Sequence, residues 1–233
     1  MQRFDPGPIR SQALWESIAD ALRRAIILGE LPAGVHLEEP SLAAKFGVSR
    51  IPVREAIIRL AHERLVKIEP RRGAFVVGVS EEDLHDVFEL RILLEGYGVR
   101  HAARFIGDEG IAALHAVVDR MANAARRGES RATAEDDLQF HREIIAFSGN
   151  SRLVTTWEPI GGLVATTLWI TNATVDNMPM AAEGHRSIID ALEQRDPDLA
   201  ERRLKFHIEE GERNTLDAIR RARGTLTNTL LRD

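Results

Sequence analysis

Three histidines and one aspartate of the 233-residue chain fall on helical faces that are otherwise apolar. In "DDLQFHREIIAF", Asp137 and His141 are four residues apart and share one face of a helix, with Ile144 and Ile145 on the same side. His185 shares a stripe with Ile188, Ile189 and Leu192, and His207 lies beside Leu204 and Ile208. An ionised carboxylate is rarely buried without a partner. A divalent metal ion would satisfy all four groups at once. This N/O donor set with an open position best suits Zn²⁺, and Ni²⁺ or Mn²⁺ also fits. Two plainer alternatives stay open on spacing alone. Histidines on apolar faces are usually satisfied core residues, and Asp137 and His141 can simply bond each other. No compact metal motif is present. His115 also falls on an apolar stripe, and no role is assigned to it.

Arg91 is a second anomaly, on the stripe of Leu84, Phe88 and Glu95. A buried arginine needs an acceptor. Either Glu95 supplies it at i,i+4 spacing, or the guanidinium forks onto the carboxylate of a small ligand. In that second reading Arg91 and Glu95 belong to an effector pocket, with Thr166 and Asn172 of "VATTLWITNA" on its wall. Trp169 in the same run reads as core.

The third concentration is of arginine. Residues 1–78 carry 12 Lys+Arg against 9 Asp+Glu, whereas the remainder carries 19 against 27 and the whole chain is −5. A basic patch on an acidic chain is the electrostatic footprint of a small DNA-binding module, although a solvated helix face is the usual fate of a charge run. Within "GVSRIPVREAIIRL", Ser49 and Pro52 mark a helix start. Arg50 and Arg54 then sit where the helix dipole favours anions. The arrangement makes sense if the anion is external. Pairing of the arginines with Glu55, Glu63 and Glu69 accounts for Arg59 with Glu63, but poorly for Arg50, Arg71 and Arg72.

These residues require elements to position them. Apolar spacing over 9–28 predicts a helix. "GELPAG" breaks it, "PSLAAKFG" is a short helix stopped at Gly47, and the next helix runs from about Arg50 to Arg64 with Val53, Ala56, Ile57 and Leu60 inward. "LVKIEP", "RRG" and "AFVVG" read as strand, turn, strand. That order is a winged helix–turn–helix, with Ala43 permitting close helix crossing and Gly47 supplying the turn. Its second helix would enter the major groove, where arginine bidentate to guanine is the commonest specific contact. From 79 onward only helices are expected, at 81–106, 109–127, 133–148, 151–174, 180–194 and 197–223. Breaks fall at "IGDEG", "RRGES", "SGNS", "NMP" and "RDPD", and Ser80 with Asp83 forms a capping box.

The run "LEEPSLAAKFGVSRIPVREAIIRLAHERLVKIEPRRGAFV" resembles the N-terminal domain of GntR-family bacterial transcription regulators over roughly residues 30–77. By position the resemblance implies DNA contacts by Arg50, Arg54 and the wing residues Arg72 and Gly73. The residues themselves add Ser49, able to hold a phosphate at the helix start, Arg71 at the hairpin tip, and Arg59 on the same helix. Two departures stand out: Pro40 replaces an arginine found in some members, and "HER" at 62–64 lacks the glycine common before the wing strand. Residues 80–223 resemble the FCD ligand-binding domain of one GntR subfamily. That likeness implies a metal held by Asp137, His141, His185 and His207, with a carboxylate effector beside it.

The expectation is therefore a mainly α chain. Residues 1–78 form a winged helix–turn–helix domain, and 79–233 an antiparallel bundle of six to seven helices that binds metal and effector. Its function would be metabolite-responsive regulation, as a repressor, binding operator DNA as a homodimer. A metal-dependent hydrolase or lyase and a purely architectural DNA-binding protein are the competing readings. The absence of cysteine excludes disulfides, thiol catalysis and cysteine-ligated zinc. "MQRFDPGPIR" lacks the apolar core of a signal peptide, so a cytoplasmic protein is expected.

Overall fold

The computed structural model describes residues 14–174 and 181–230, without the side chains of 173, 174, 181 and 225–230. Residues 9–13 of the first expected helix and the "NMP" break lie outside the described residues. The chain divides into two compact units, which meet in sequence at Gly78 and Val79.

In the first unit, α1 (Leu14–Leu28), α2 (Glu39–Phe46) and α3 (Arg50–His62) precede a hairpin of β1 (Val66–Glu69) and β2 (Gly73–Val76). The hairpin is antiparallel, with Val66 opposite Val76 and Glu69 opposite Gly73. The amphipathic pattern of α1 buries Ile18, Ala19, Leu22, Ile26 and Ile27, and its one buried charge, Arg23, lies on the same face. That guanidinium forks onto Glu63 just past α3 (Nε–Oε2 2.7 Å, Nη2–Oε1 2.9 Å) and also reaches Asp20. Breaking such a buried pair costs about 3–5 kcal/mol, so Arg23 and Glu63 fasten α1 to the end of α3. On α3, Val53, Ala56, Ile57 and Leu60 are buried as their spacing predicts, and buried Ala43 faces them from α2. The segment 34–37 runs along the wing: Gly34 and Leu37 donate to the carbonyls of Val76 and Ala74, and Val76 donates back to Val35.

The second unit is helical throughout its described residues: α4 (Glu81–Phe105), α5 (Asp108–Arg126), α6 (Ser130–Phe147), α7 (Ser151–Thr174), α8 (Ala181–Glu193) and α9 (Pro197–Leu230). The expected bounds are met within a few residues, except that α9 extends one to two turns further. Ser80 caps α4 reciprocally: its hydroxyl accepts from the Asp83 N–H at 3.0 Å, and its own N–H donates to Asp83 at 2.8 Å. One apolar cluster draws on α4, α5, α6, α8 and α9, and includes Phe88, Met121, Phe140 and Ile188. A second lies between α6 and α7 around Trp157, Leu153 and Leu168. Among the described residues the apolar side chains of this unit thus fall into two clusters, because α7 packs mainly on α6 and carries its own apolar face. His115 is at the surface beside Glu193 (3.0 Å), not on the buried stripe of α5.

The glycine missing from "HER" has a structural trace. Arg64, exposed and just past α3, holds φ at +62°, the left-handed conformation that glycine adopts at helix C-termini. A side chain there costs roughly 1–2 kcal/mol, against roughly 0.5–1 kcal/mol of extra chain entropy for glycine. Arg64→Gly is therefore expected to stabilise the protein by up to about 1 kcal/mol, read as a higher urea midpoint at unchanged slope. A lower midpoint would mean that the Arg64 side chain outweighs its backbone strain.

Candidate functional site

The four polar residues of the apolar faces come together. Asp137 and His141 project from α6, His185 from α8 and His207 from α9, and one donor atom of each lies within 4.8 Å of all the others. Donors about 2.1 Å from a common ion are separated by at most about 4.2 Å, so the cradle is close to ligating dimensions. Asp137, His141 and His185 are buried, whereas His207 is partly exposed. The His185 and His207 rings meet edge-on at 4.2 Å, and Phe140 closes on His185 at 4.7 Å. Gly184 makes room for this approach: a Cβ there would lie 2.6 Å from His207 Nδ1.

Asp137 reaches His141 Nε2 at 3.4 Å and His185 Nε2 at 3.5 Å, distances of charge attraction rather than good hydrogen bonds. Among the described residues, Asp137 Oδ1 and His141 Nε2 are buried with no hydrogen-bond partner. Such orphaned atoms are uncommon in native cores, and a bound ion is one arrangement that would satisfy both. Burial opposes ionisation of Asp137, yet the charges of His185 and His141 outweigh it and hold the carboxyl well below its usual range. Burial, with the like charges of His185 and His141, pushes His207 well below the ordinary histidine value. A neutral imidazole is the form that ligates a metal.

A residue placed elsewhere by sequence reasoning organises this cluster. Glu95, fully buried on α4, has both oxygens engaged. Oε1 accepts from Arg91 Nε at 2.8 Å and from Trp157 Nε1 at 3.0 Å, and Oε2 is 2.6 Å from His141 Nδ1. Binding at Nδ1 leaves Nε2 of His141 directed to the other donors, as outer carboxylates do for ligating histidines. Glu95 is thus no open wall of a pocket; its i,i+4 pairing with Arg91 is what the structure contains. Trp157 was missed altogether, although an indole N–H on an apolar face requires an acceptor. The Thr166 hydroxyl donates to the Gly162 carbonyl within α7, and Asn172 offers its main-chain carbonyl to Ser130 Oγ.

In the first unit, an open groove of about 630 Å³ lies between α3 and the wing, with Arg50, Arg54, Arg71 and Arg72 on its walls. Ser49 holds the N-cap position of α3, and its side chain makes no capping bond. Among the described residues no ion pair occupies Arg50 or Arg71, and Arg71 stands at the hairpin tip with φ +63°. Arg72 bonds Glu69 at 2.5 Å and lies over the Phe75 ring. Arg59 is held by Glu63 at 2.9 Å, as the plain alternative required, so it belongs to the Arg23–Glu63 anchor. Gly73 has φ +105°, and a Cβ there would lie 2.3 Å from the His36 ring, which stacks on Phe75 at 4.8 Å. Its role is to let His36 seat the wing.

Comparison with known proteins identifies both parts of the chain. Residues 14–76 match the family "Bacterial regulatory proteins, gntR family", and residues 86–210 match the FCD domain. The chain is 33% identical to the "Probable D-xylose utilization operon transcriptional repressor" of Paenarthrobacter nicotinovorans, over 82% of this chain and 84% of that one. It is 26% identical to the "Gluconate operon transcriptional repressor" of Bacillus licheniformis, over 78% and 76%. The Escherichia coli structure McbR/YncC shares the fold, with a TM-score of 0.67 over 85% of this chain and 94% of that one, at 20% identity. The protein belongs to the gntR family and carries an FCD domain. It is a DNA-binding transcription regulator and not an enzyme, so the hydrolase and lyase reading falls. No helix among the described residues is long and apolar enough to cross a membrane.

The Glu95 network sets an acid limit. Burial opposes ionisation of Glu95, but Arg91 and His141 outweigh it and take the carboxyl from 4.5 to about 2. A depressed carboxyl stabilises the fold in full above its unfolded value and loses this as pH falls through the folded one. Glu95→Gln is therefore expected to lower stability at pH 7 by roughly 3 kcal/mol. The gap to wild type should shrink between about pH 4.5 and 2. Urea unfolding across that range measures it, and a gap constant with pH would contradict the assignment.

Proposed function

We propose that the protein is a homodimeric, cytoplasmic repressor whose helical domain holds a divalent metal, most suitably Zn²⁺, and responds to a small carboxylate. The observation that carries this reading is the buried cluster of Asp137, His141, His185 and His207, with converging donors and two orphaned atoms. When bound, the metal would supply an electrophilic position for a carboxylate oxygen. Arg91 is the residue to orient that carboxylate. It is buried, its Nε is fixed by Glu95, and its charge acts on both His141 and His207. The B. licheniformis relative is named for the operon of a small hydroxy-carboxylate, which supports the same class of effector.

At the DNA, α3 would enter the major groove with Arg54 toward base edges and Arg50 toward phosphate, while Arg71 and Arg72 reach out from the wing. A pseudo-palindromic operator needs two heads. The partner is a second copy of this chain, and the surface that supports this is the exposed stripe Leu90, Leu93, Tyr97 and Phe105 on α4. Antiparallel pairing of two α4 helices would set Asp86 and Glu89 of one against Arg104 of the other, which makes the seam self-complementary.

Purified protein is expected to carry about one divalent ion per chain by elemental analysis. His185→Ala should lose it, and a carboxylate that raises the melting temperature of wild type should fail to do so after chelation. Absence of bound metal together with melting insensitive to chelator would remove this half of the reading. For the DNA half, Arg71→Ala should reduce the slope of log K against log salt by about 0.9, the effect of one lost phosphate contact. An unchanged slope would take the wing tip off the DNA.

A further inference from the structure

Four arginines line the groove between α3 and the wing, yet one of them is held differently from the rest. Arg54 is forked by Glu39, the first residue of α2: Nε to Oε1 3.0 Å, Nη2 to Oε2 2.9 Å. Arg50 and Arg71 carry no ion pair among the described residues, and Arg72 donates a single bond to Glu69. The Glu39–Arg54 pair spans the helix–turn–helix, joining the start of α2 to the second turn of α3. It stands at the groove, with the Arg54 side chain 65% exposed and Glu39 28%. A surface ion pair of this kind contributes little to stability, so its value must lie elsewhere.

The geometry of the fork says where. A guanidinium has two edges that can hold a pair of acceptors: the side edge, Nε with one Nη, and the end edge, Nη1 with Nη2. Glu39 occupies the side edge. The end edge stays available, and its two parallel donors match the O6 and N7 acceptors that guanine presents in the major groove. Glu39 also sets a negative charge beside Arg54, which disfavours approach of a phosphate there and leaves a neutral base edge as the better partner. Fixing one edge removes rotamer freedom that base recognition would otherwise have to remove.

Resting on the placement of α3 in the major groove, we propose that Glu39 is a specificity-determining positioning residue. It holds Arg54 end-on toward one guanine of each half-site and away from the backbone. The competing view, that Glu39 merely neutralises Arg54 until phosphate displaces it, predicts the opposite response to Glu39→Gln.

The test uses the full-length protein and a duplex selected by wild type from a randomised library. Each guanine is replaced in turn by 7-deazaguanine, which lacks the N7 acceptor, and a scrambled duplex reports non-specific affinity. Arg54→Ala should abolish the preference at one guanine per half-site. Glu39→Gln should weaken the preference at that same guanine about tenfold while binding the scrambled duplex as well as wild type or better. Full retention of that preference in Glu39→Gln overturns the proposal and leaves the groove assignment standing. So does a proportionate loss on both duplexes, since that is a merely structural effect. If Arg54→Ala leaves every guanine preference intact, the placement of Arg54 on base edges fails, and the role of Glu39 with it.

Discussion

The helical unit depends on one buried carboxylate. Glu95 collects donors from three helices: Arg91 on its own α4, His141 on α6 and Trp157 on α7. None of these groups could be buried alone without cost, since a lone guanidinium, carboxylate or indole N–H in an apolar core loses its hydration with nothing in return. Together they satisfy one another and fix the tautomer of His141. Trp157 lies at the centre of the α6–α7 apolar cluster, so the same bond ties that cluster to α4. The carboxylate thus sets both the packing of α7 and the direction of the His141 nitrogen that faces the Asp137, His185 and His207 cluster.

The first unit sorts its arginines by a similar logic, with burial deciding their roles. Arg23 and Arg59 converge on Glu63, whose side chain is 1% exposed, and they serve to join α1 and α3. Arg50 and Arg71, at the start of α3 and the tip of the hairpin, have no ion pair among the described residues. Cations at a helix N-terminus are unfavourable in isolation. The fold keeps them there beside an open groove. The asymmetry is that of a surface waiting for a polyanion.

Much of this was legible in the sequence because it rests on period and punctuation. The spacing of Val53, Ala56, Ile57 and Leu60 gave the inward face of α3, and the Ser80–Asp83 capping box gave the start of α4. The convergence of Asp137, His141, His185 and His207 was legible because each residue is a polar exception on an apolar stripe. What escaped was contact between residues far apart in sequence. Glu95 reads as the i,i+4 partner of Arg91, and nothing in the string places it against His141, 46 residues on, or Trp157, 62 residues on. Glu39 escaped for the same reason, since the acidic partners visible near Arg54 were those of its own helix and wing. His115 failed in the other direction: a stripe wide enough to include it exists in the sequence, but α5 turns that edge toward Glu193 at the surface.

The polar centre of the helical unit also bears on how a ligand could act through it. A core built from Leu and Ile at these positions would be as stable or more so, because buried ion pairs rarely outperform good apolar packing. Retaining Asp137, Glu95, Arg91 and three histidines therefore argues for a task beyond folding. Their distribution is consistent with the proposed one: the groups that would ligate the ion belong to α6, α8 and α9, and the arginine that would orient a carboxylate to α4. An ion and an anion seated among them would draw four helices toward one point. Such a ligand shifts a population only to the extent that it binds one arrangement of these helices better than another. His207 on α9, the one partly exposed member of the cluster, is where a ligand could add contacts that one arrangement lacks.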